Sequence, residues 1–159
     1  MKLISLKIGE SFRSLPANFE VRFLEDGQNL DLEEFRPFCM VGLNGCGKSN
    51  VLEALAQIFY QLELCVAVHL PQNILSDDEK LRTGGTIQSY HLEYLWHPNS
   101  LPTFELSNAR KVVIDKEFGK EPQMFVSSVN GSDKIQVSLS SSTINHMEAE
   151  GKKYLPKYV

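Results

Sequence analysis

The alternation of polar and apolar residues predicts two strands at the start of the chain. Residues 2–8 alternate with a period of two, and residues 18–24 place Phe19, Val21 and Phe23 on one face. Because only a short loop joins these two strands, we expect them to be antiparallel. Residues 36–41 are a short apolar run that ends before a glycine, which predicts a third, buried strand.

The strongest helical pattern in the chain runs from about residue 48 to residue 64. Apolar residues recur there at every third or fourth position, which predicts a broad face buried against a sheet. These residues are Val51, Leu52, Ala54, Leu55, Ile58, Phe59 and Leu62.

The second half of the chain predicts an antiparallel meander. A polar loop or insertion at 69–86 leads into a long strand at 87–96. Shorter strands, separated by turns, are predicted at 103–106, 111–117, 123–129 and 134–139. The segment 143–153 is predicted to be a short helix or a loop.

A phosphate-binding motif lies between the apolar run and the helix. The sequence GLNGCGKS at residues 42–49 matches G-x-x-x-x-G-K-[ST], and its predicted context is strand, loop and helix. Gly45 and Gly47 let backbone N–H groups turn inward around a phosphate, and Lys48 adds a point charge. Ser49 is the predicted ligand of Mg²⁺. A glycine turn followed by a chance Lys-Ser pair is the alternative interpretation.

Cys46 lies inside this motif. A helix N-terminus lowers the pKa of a thiol, so Cys46 could be a redox switch. The other interpretation is a small residue that fits a tight loop.

The segment GLNGCGKSNVLEALAQIFY resembles ABC-type ATPases of the RecF, chromosome-maintenance (SMC) and OLD-nuclease kind. Their usual form is G-x-N-G-x-G-K-S-N-[LV]-L-E-A-[LI]. It looks closest to AAA-type ATPases encoded beside bacterial restriction and phage-defence systems. The resemblance implies ATP and Mg²⁺ as ligands, with Asn44 and Asn50 joining the motif at the site. It also implies that Phe12 and Arg13, in the loop after the first strand, touch the nucleotide, and that Lys48 is catalytic.

The fold that this resemblance implies is an α/β P-loop NTPase. The chain 1–159 would be the N-terminal lobe of an ABC-type head, with a P-loop unit at 36–64. An antiparallel β-subdomain would span 2–24 and 87–139. The C-terminal lobe, which carries the signature and Walker B motifs in that family, would be absent. We therefore expect the chain alone to bind ATP without hydrolysing it.

The same resemblance implies a homodimer of heads in the complete protein, with DNA or an effector nuclease as a partner. A self-contained small P-loop kinase or GTPase, with Asp115 on Mg²⁺, is the alternative function. A non-catalytic interaction module is a third possibility. Gln123 and Gln136 are candidates for a glutamine that contacts Mg²⁺ and the attacking water, whereas structural roles are expected for the histidines and Trp96.

Composition excludes several classes of protein. The 159 residues carry 16 basic and 20 acidic side chains, a net charge of −4, which argues against nucleic-acid binding by bulk positive charge. No apolar run approaches the ~18 residues of a membrane span, so no membrane partner is expected. The three cysteines lack metal-type spacing and fit reduced thiols in a cytoplasm.

Overall fold

The structure, a computed structural model, describes residues 1–24, 37–67, 87–98, 108–129, 133–139 and 149–156. The predicted loop at 69–86 and the predicted strand at 103–106 lie outside these described residues. The segment predicted at 143–153 is described only from residue 149.

The described residues form one six-stranded sheet in which every pair of neighbouring strands is antiparallel. The strand order is β2-β1-β3-β4-β5-β6. The strands are β1 (Lys2–Ile8), β2 (Phe19–Arg22), β3 (Tyr90–Trp96), β4 (Arg110–Lys116), β5 (Gln123–Ser128) and β6 (Ile135–Val137). These six strands confirm the predicted strands at 2–8, 18–24, 87–96, 111–117, 123–129 and 134–139, although β3 begins only at Tyr90 and β6 covers only Ile135–Val137.

The predicted fold class, an α/β P-loop NTPase built on a strand–helix unit at 36–64, is wrong. The described ranges contain one α-helix beside a mainly antiparallel sheet, without the alternation of strands and helices. Residues 37–43 belong to no strand, and Val41 is 94% exposed. An apolar run becomes a buried strand only when neighbouring strands take up its backbone hydrogen bonds, and this ladder contains no such partner for 37–41.

One face of the sheet carries the core. Leu6, Leu92, Ile114 and Met124 are direct neighbours across β1, β3, β4 and β5, and all four are fully buried. Their alternation with polar residues along each strand puts them all on the same side. The remaining side chains of these strands therefore form a second, more polar face.

The helix α1 (Lys48–Val66) confirms the predicted helix and belongs to the same core. The Phe59 ring lies edge-on to Tyr94 of β3, with ring centres 6.0 Å apart. Leu52 is the exception among the predicted apolar positions, since its side chain is 60% exposed. It stands at the margin of the buried arc, where helical spacing alone does not distinguish a covered residue from an uncovered one.

A 3₁₀ helix, Glu150–Tyr154, packs against the core through Tyr154. The hydroxyl of Tyr94 donates a hydrogen bond to the carbonyl oxygen of Tyr154 at 3.1 Å. The Trp96 and Tyr154 rings pack edge to face at 4.9 Å, so Trp96 has the structural role expected from the sequence. Within the described ranges, no helix combines the length and the hydropathy that a bilayer crossing requires.

Candidate phosphate-binding site

The loop at 42–49 makes a tight turn into the N-terminus of α1. Gly45 and Gly47 have φ angles of 86° and 95°, in the left-handed region that glycine enters without strain. The carbonyl oxygen of Gly47 accepts the first helical hydrogen bonds, from the N–H groups of Asn50 and Val51. No side chain caps this end of α1. The first-turn N–H groups and the positive end of the helix dipole therefore point toward the loop.

Lys48 lies across this loop. Its ammonium donates hydrogen bonds to the carbonyl oxygens of Gly42 and Leu43, both at 2.8 Å. Cys46 Sγ lies 3.6 Å from the same ammonium. These contacts keep the one cation of the motif folded over the loop, at the end of the helix where an anion is attracted.

The other predicted ligands of the loop are accessible. Asn44, Cys46 and Ser49 are exposed, and Ser49 stands in the first turn of α1. A side chain added at Gly45 would meet no atom within 4 Å, so the space beside this glycine is open. The loop therefore leaves Asn44 and Ser49 exposed, beside a glycine that has open space around it.

A turn after β1 lies against the loop. Phe12 and Leu15 form an isolated antiparallel bridge, and Arg13 between them has a φ of 55°. A Cβ added at Gly47 would lie 2.8 Å from Leu15 Cδ2 and 3.2 Å from Ser14 Oγ. The turn and the last glycine of the loop are thus in direct contact, and only glycine fits there.

Two polar contacts join this turn to α1. Asn50 Nδ2 donates a hydrogen bond to Ser14 Oγ at 2.7 Å. Arg13 donates from Nε and Nη2 to Glu53 Oε1, at 3.2 and 2.9 Å. These contacts fasten the turn to α1, with the Arg13 guanidinium on Glu53 and the Asn50 amide on Ser14.

Phe12 is buried, whereas a residue that contacts a ligand has to be accessible. The Phe12 ring is buried in the core, 5.9 Å from the Arg13 guanidinium carbon. Phe12 therefore belongs to the core, whereas the Arg13 side chain is exposed.

Sequence reasoning missed Ser14 and Glu53. Asn50 and Glu53 are three residues apart in α1, so a shared helical face was readable from their spacing. Nothing in the sequence identified the turn that this face contacts, because Ser14 and Asn50 lie 36 residues apart.

Asp115 of the alternative function lies on the polar face of the sheet. Asp115 pairs with His91, one position out of phase with the buried pair Ile114 and Leu92. The core that includes α1 is on the opposite side of the sheet. Gln123 pairs with Asp115, and Gln136 lies on the same polar face through its partner Phe125. None of these three side chains lies on the sheet face that packs against α1.

On this polar face, His91 lies between two carboxylates. Its Nδ1 is 2.5 Å from Asp115 Oδ1, and its Nε2 is 3.4 Å from Glu93 Oε1. The hydrogen bonds with Glu93 and Asp115 raise the pKa of His91, against the effect of burial. Hydrogen bonds from His91 and Lys111 lower the pKa of Glu93 to about 2. These side chains form a cluster of hydrogen bonds and ion pairs that links β3 to β4.

Two further observations bear on the site. In the described part of the chain, no group of three or more histidine, cysteine, aspartate or glutamate side chains is arranged to hold a metal ion. Comparisons with protein families, with curated proteins and with solved structures found no match to this chain.

Proposed function

We propose that the loop at 42–49 binds the phosphate groups of a nucleotide, with ATP and Mg²⁺ as the ligands. The observation that carries this proposal is the conformation of Gly45 and Gly47 at the uncapped start of α1. Left-handed glycines in such a turn aim successive N–H groups at one point, where the helix dipole also favours negative charge. The full match to G-x-x-x-x-G-K-[ST] supports the same ligand.

Each residue has a role in this proposal. Lys48 exchanges its two carbonyl partners for phosphate oxygens, which are stronger acceptors because they carry charge. Ser49 offers its hydroxyl to Mg²⁺, and Asn44, Cys46 and Asn50 line the loop. Arg13 supplies a second cation from the neighbouring turn. When bound, Mg²⁺ neutralises phosphate charge.

The wider role proposed is that of an ATP-binding unit in a RecF-, SMC- or OLD-like ATPase. The support is the motif GLNGCGKSNVLEAL. Restriction or phage defence would be its setting, with pairing of two heads and DNA or an effector nuclease as partners. We place it in the cytoplasm, since Cys39, Cys46 and Cys65 are free thiols.

ATP turnover by this chain alone is expected to be negligible. Phosphoryl transfer needs a group that orients the attacking water as well as charge on the phosphates. The carboxylate of Glu53, in the second turn of α1, could orient such a water only by leaving its ion pair with Arg13. Asp115 lies on the other sheet face and contacts His91, so no observation favours a kinase or GTPase built on Asp115.

A titration with a fluorescent ATP analogue in Mg²⁺ tests the proposal. Lys48→Ala should weaken binding by roughly 10- to 100-fold, the value of one hydrogen bond to a charged group. Lys7→Ala is the matched control, because it removes the same charge from an exposed position on the polar sheet face. Equal binding by wild type and Lys48→Ala would remove the phosphate-loop assignment.

A further inference from the structure

We infer that Glu53 is a positioning residue of the phosphate site, which orients the Arg13 guanidinium toward the bound phosphates. This inference rests on the proposed function, because Arg13 matters only if an anion occupies the loop. Glu53 itself carries a negative charge and would not contact a phosphate. Its contribution is made through Arg13.

The geometry of the ion pair carries the first step. Arg13 uses Nε and Nη2, one edge of its planar group, and both donate to the single oxygen Oε1 of Glu53. A guanidinium has further N–H groups on its other edge, in a fixed plane. Fixing one edge therefore fixes the direction of the other, which a phosphate can meet as a bidentate acceptor.

The turn that contains Arg13 is held against the start of α1. Ser14 Oγ accepts a hydrogen bond from Asn50, and Leu15 lies against the position of Gly47. The backbone beside Arg13 is thus fastened to the same first turns of α1 that carry Lys48. The Arg13 side chain is nevertheless 61% exposed. Besides the Phe12 ring, the carboxylate of Glu53 is what holds the guanidinium.

Holding the Arg13 side chain in place before the ligand binds should raise the affinity by a measurable factor. Immobilising one long side chain on binding weakens affinity by about three- to tenfold, and this loss is avoided when the side chain is already held. An acceptor oxygen is enough to hold it, whereas the charge of Glu53 opposes an incoming anion. Glutamine at this position keeps the oxygen and removes the charge. Alanine removes both.

The two substitutions therefore separate positioning from charge. In titrations with inorganic pyrophosphate and Mg²⁺ followed by calorimetry, Glu53→Ala should weaken binding about three- to fivefold, and Glu53→Gln should not weaken it. In an Arg13→Ala background, Glu53→Ala should have no further effect. Glu20→Ala is the matched control, since it breaks a comparably exposed pair with Arg22 on β2 and should leave binding as it is.

The inference is overturned if Glu53→Ala fails to weaken binding, or if both substitutions weaken it equally. Wild-type protein that binds neither pyrophosphate nor the ATP analogue would instead refute the proposed function. The pairing of Glu53 with Arg13 is then judged without ligand, from the NMR signal of the Arg13 Nε–H group. Its exchange with water should be slow in wild type and Glu53→Gln and fast in Glu53→Ala, and equal rates in all three refute the positioning.

Discussion

His91 is a single residue whose charge links two strands. The hydrogen bonds with Glu93 and Asp115 raise its pKa above the ordinary value of 6.5, so the folded state holds the proton more tightly than the unfolded chain. The resulting stabilisation is complete below about pH 6.5 and is lost as pH rises through the folded pKa. Lys7, Lys111 and Gln123 share this sheet face.

We therefore expect the free energy of unfolding to fall as pH rises through that window. His91 and Asp115 are 39% and 42% exposed, so the decrease should stay within about 1 kcal/mol, as for other exposed pairs. Chemical denaturation at a series of pH values, on wild type and His91→Gln, measures it. Asp115→Asn should shrink the decrease, and identical profiles for wild type and His91→Gln would contradict the assignment.

Gly47 combines two constraints in one residue. Alanine there would be strained at a φ of 95°, and its Cβ would lie 2.8 Å from Leu15 Cδ2. Gly119 has the first constraint alone, with a φ of 71° and no atom within 4 Å of an added Cβ. We expect Gly119→Ala to lower stability by about 1 kcal/mol, and Gly47→Ala by a further 1–3 kcal/mol from the clash.

Urea denaturation of the two variants measures this difference. Gly47→Ala should also weaken ATP binding, because the turn must move away from the loop. Equal stability losses for both glycines would mean that the turn does not press against Gly47.

The residues of the candidate site differ in how far the sequence predicts them. The motif predicted which glycines turn the loop, because left-handed backbone strongly favours glycine and the spacing is short-range. It did not predict the pairing of Arg13 with Glu53, which lie 40 residues apart. Such contacts depend on how β1 and α1 pack, and no local pattern encodes that packing.

At the level of elements, α1 has a buried side and an exposed side that the apolar pattern does not separate. Ile58 is 1% exposed and Leu52 is 60% exposed, although both were predicted on one apolar face. Ile58→Ala should cost about 2–5 kcal/mol of stability, since it leaves a cavity against the sheet. Leu52→Ala should change stability by less than about 0.5 kcal/mol.

Thermal unfolding of both α1 variants, compared with wild type, checks this difference. A large loss at Leu52 would show that another part of the chain covers it.

The strands illustrate what periodicity can and cannot predict. Alternation predicts β1 well, because buried and polar side chains alternate along its second half. The run at 36–41 has the apolar content of a buried strand but no alternation that identifies a partner. Residues 37–41 are accordingly outside the sheet, with Phe38 and Val41 exposed.

At the level of the whole molecule, the sheet has one apolar face and one face that carries charged side chains. One face packs with α1 and with the turn beside the phosphate loop. The other face carries the ion-pair cluster of His91, Glu93 and Asp115. The antiparallel character of the sheet followed from the sequence, whereas the place of β1 between β2 and β3 did not, because it joins strands that are far apart in the chain.

The pairing of β1 with β3 has a consequence for the kinetics of folding. The strands β3 to β6 pair in chain order, whereas Ser5 and Glu93, which face each other on β1 and β3, are 88 residues apart. Closing a long loop is entropically costly, so local pairs form first and this long-range pair forms late. The Arg13 turn follows β1, and the phosphate loop lies in the segment that this closure encloses.

The candidate site is therefore completed only when β1 joins the sheet. Pulse-labelled hydrogen exchange during refolding should show protection of β4 and β5 amides before those of β1. Simultaneous protection of all three strands would mean that the sheet and the site form in a single step.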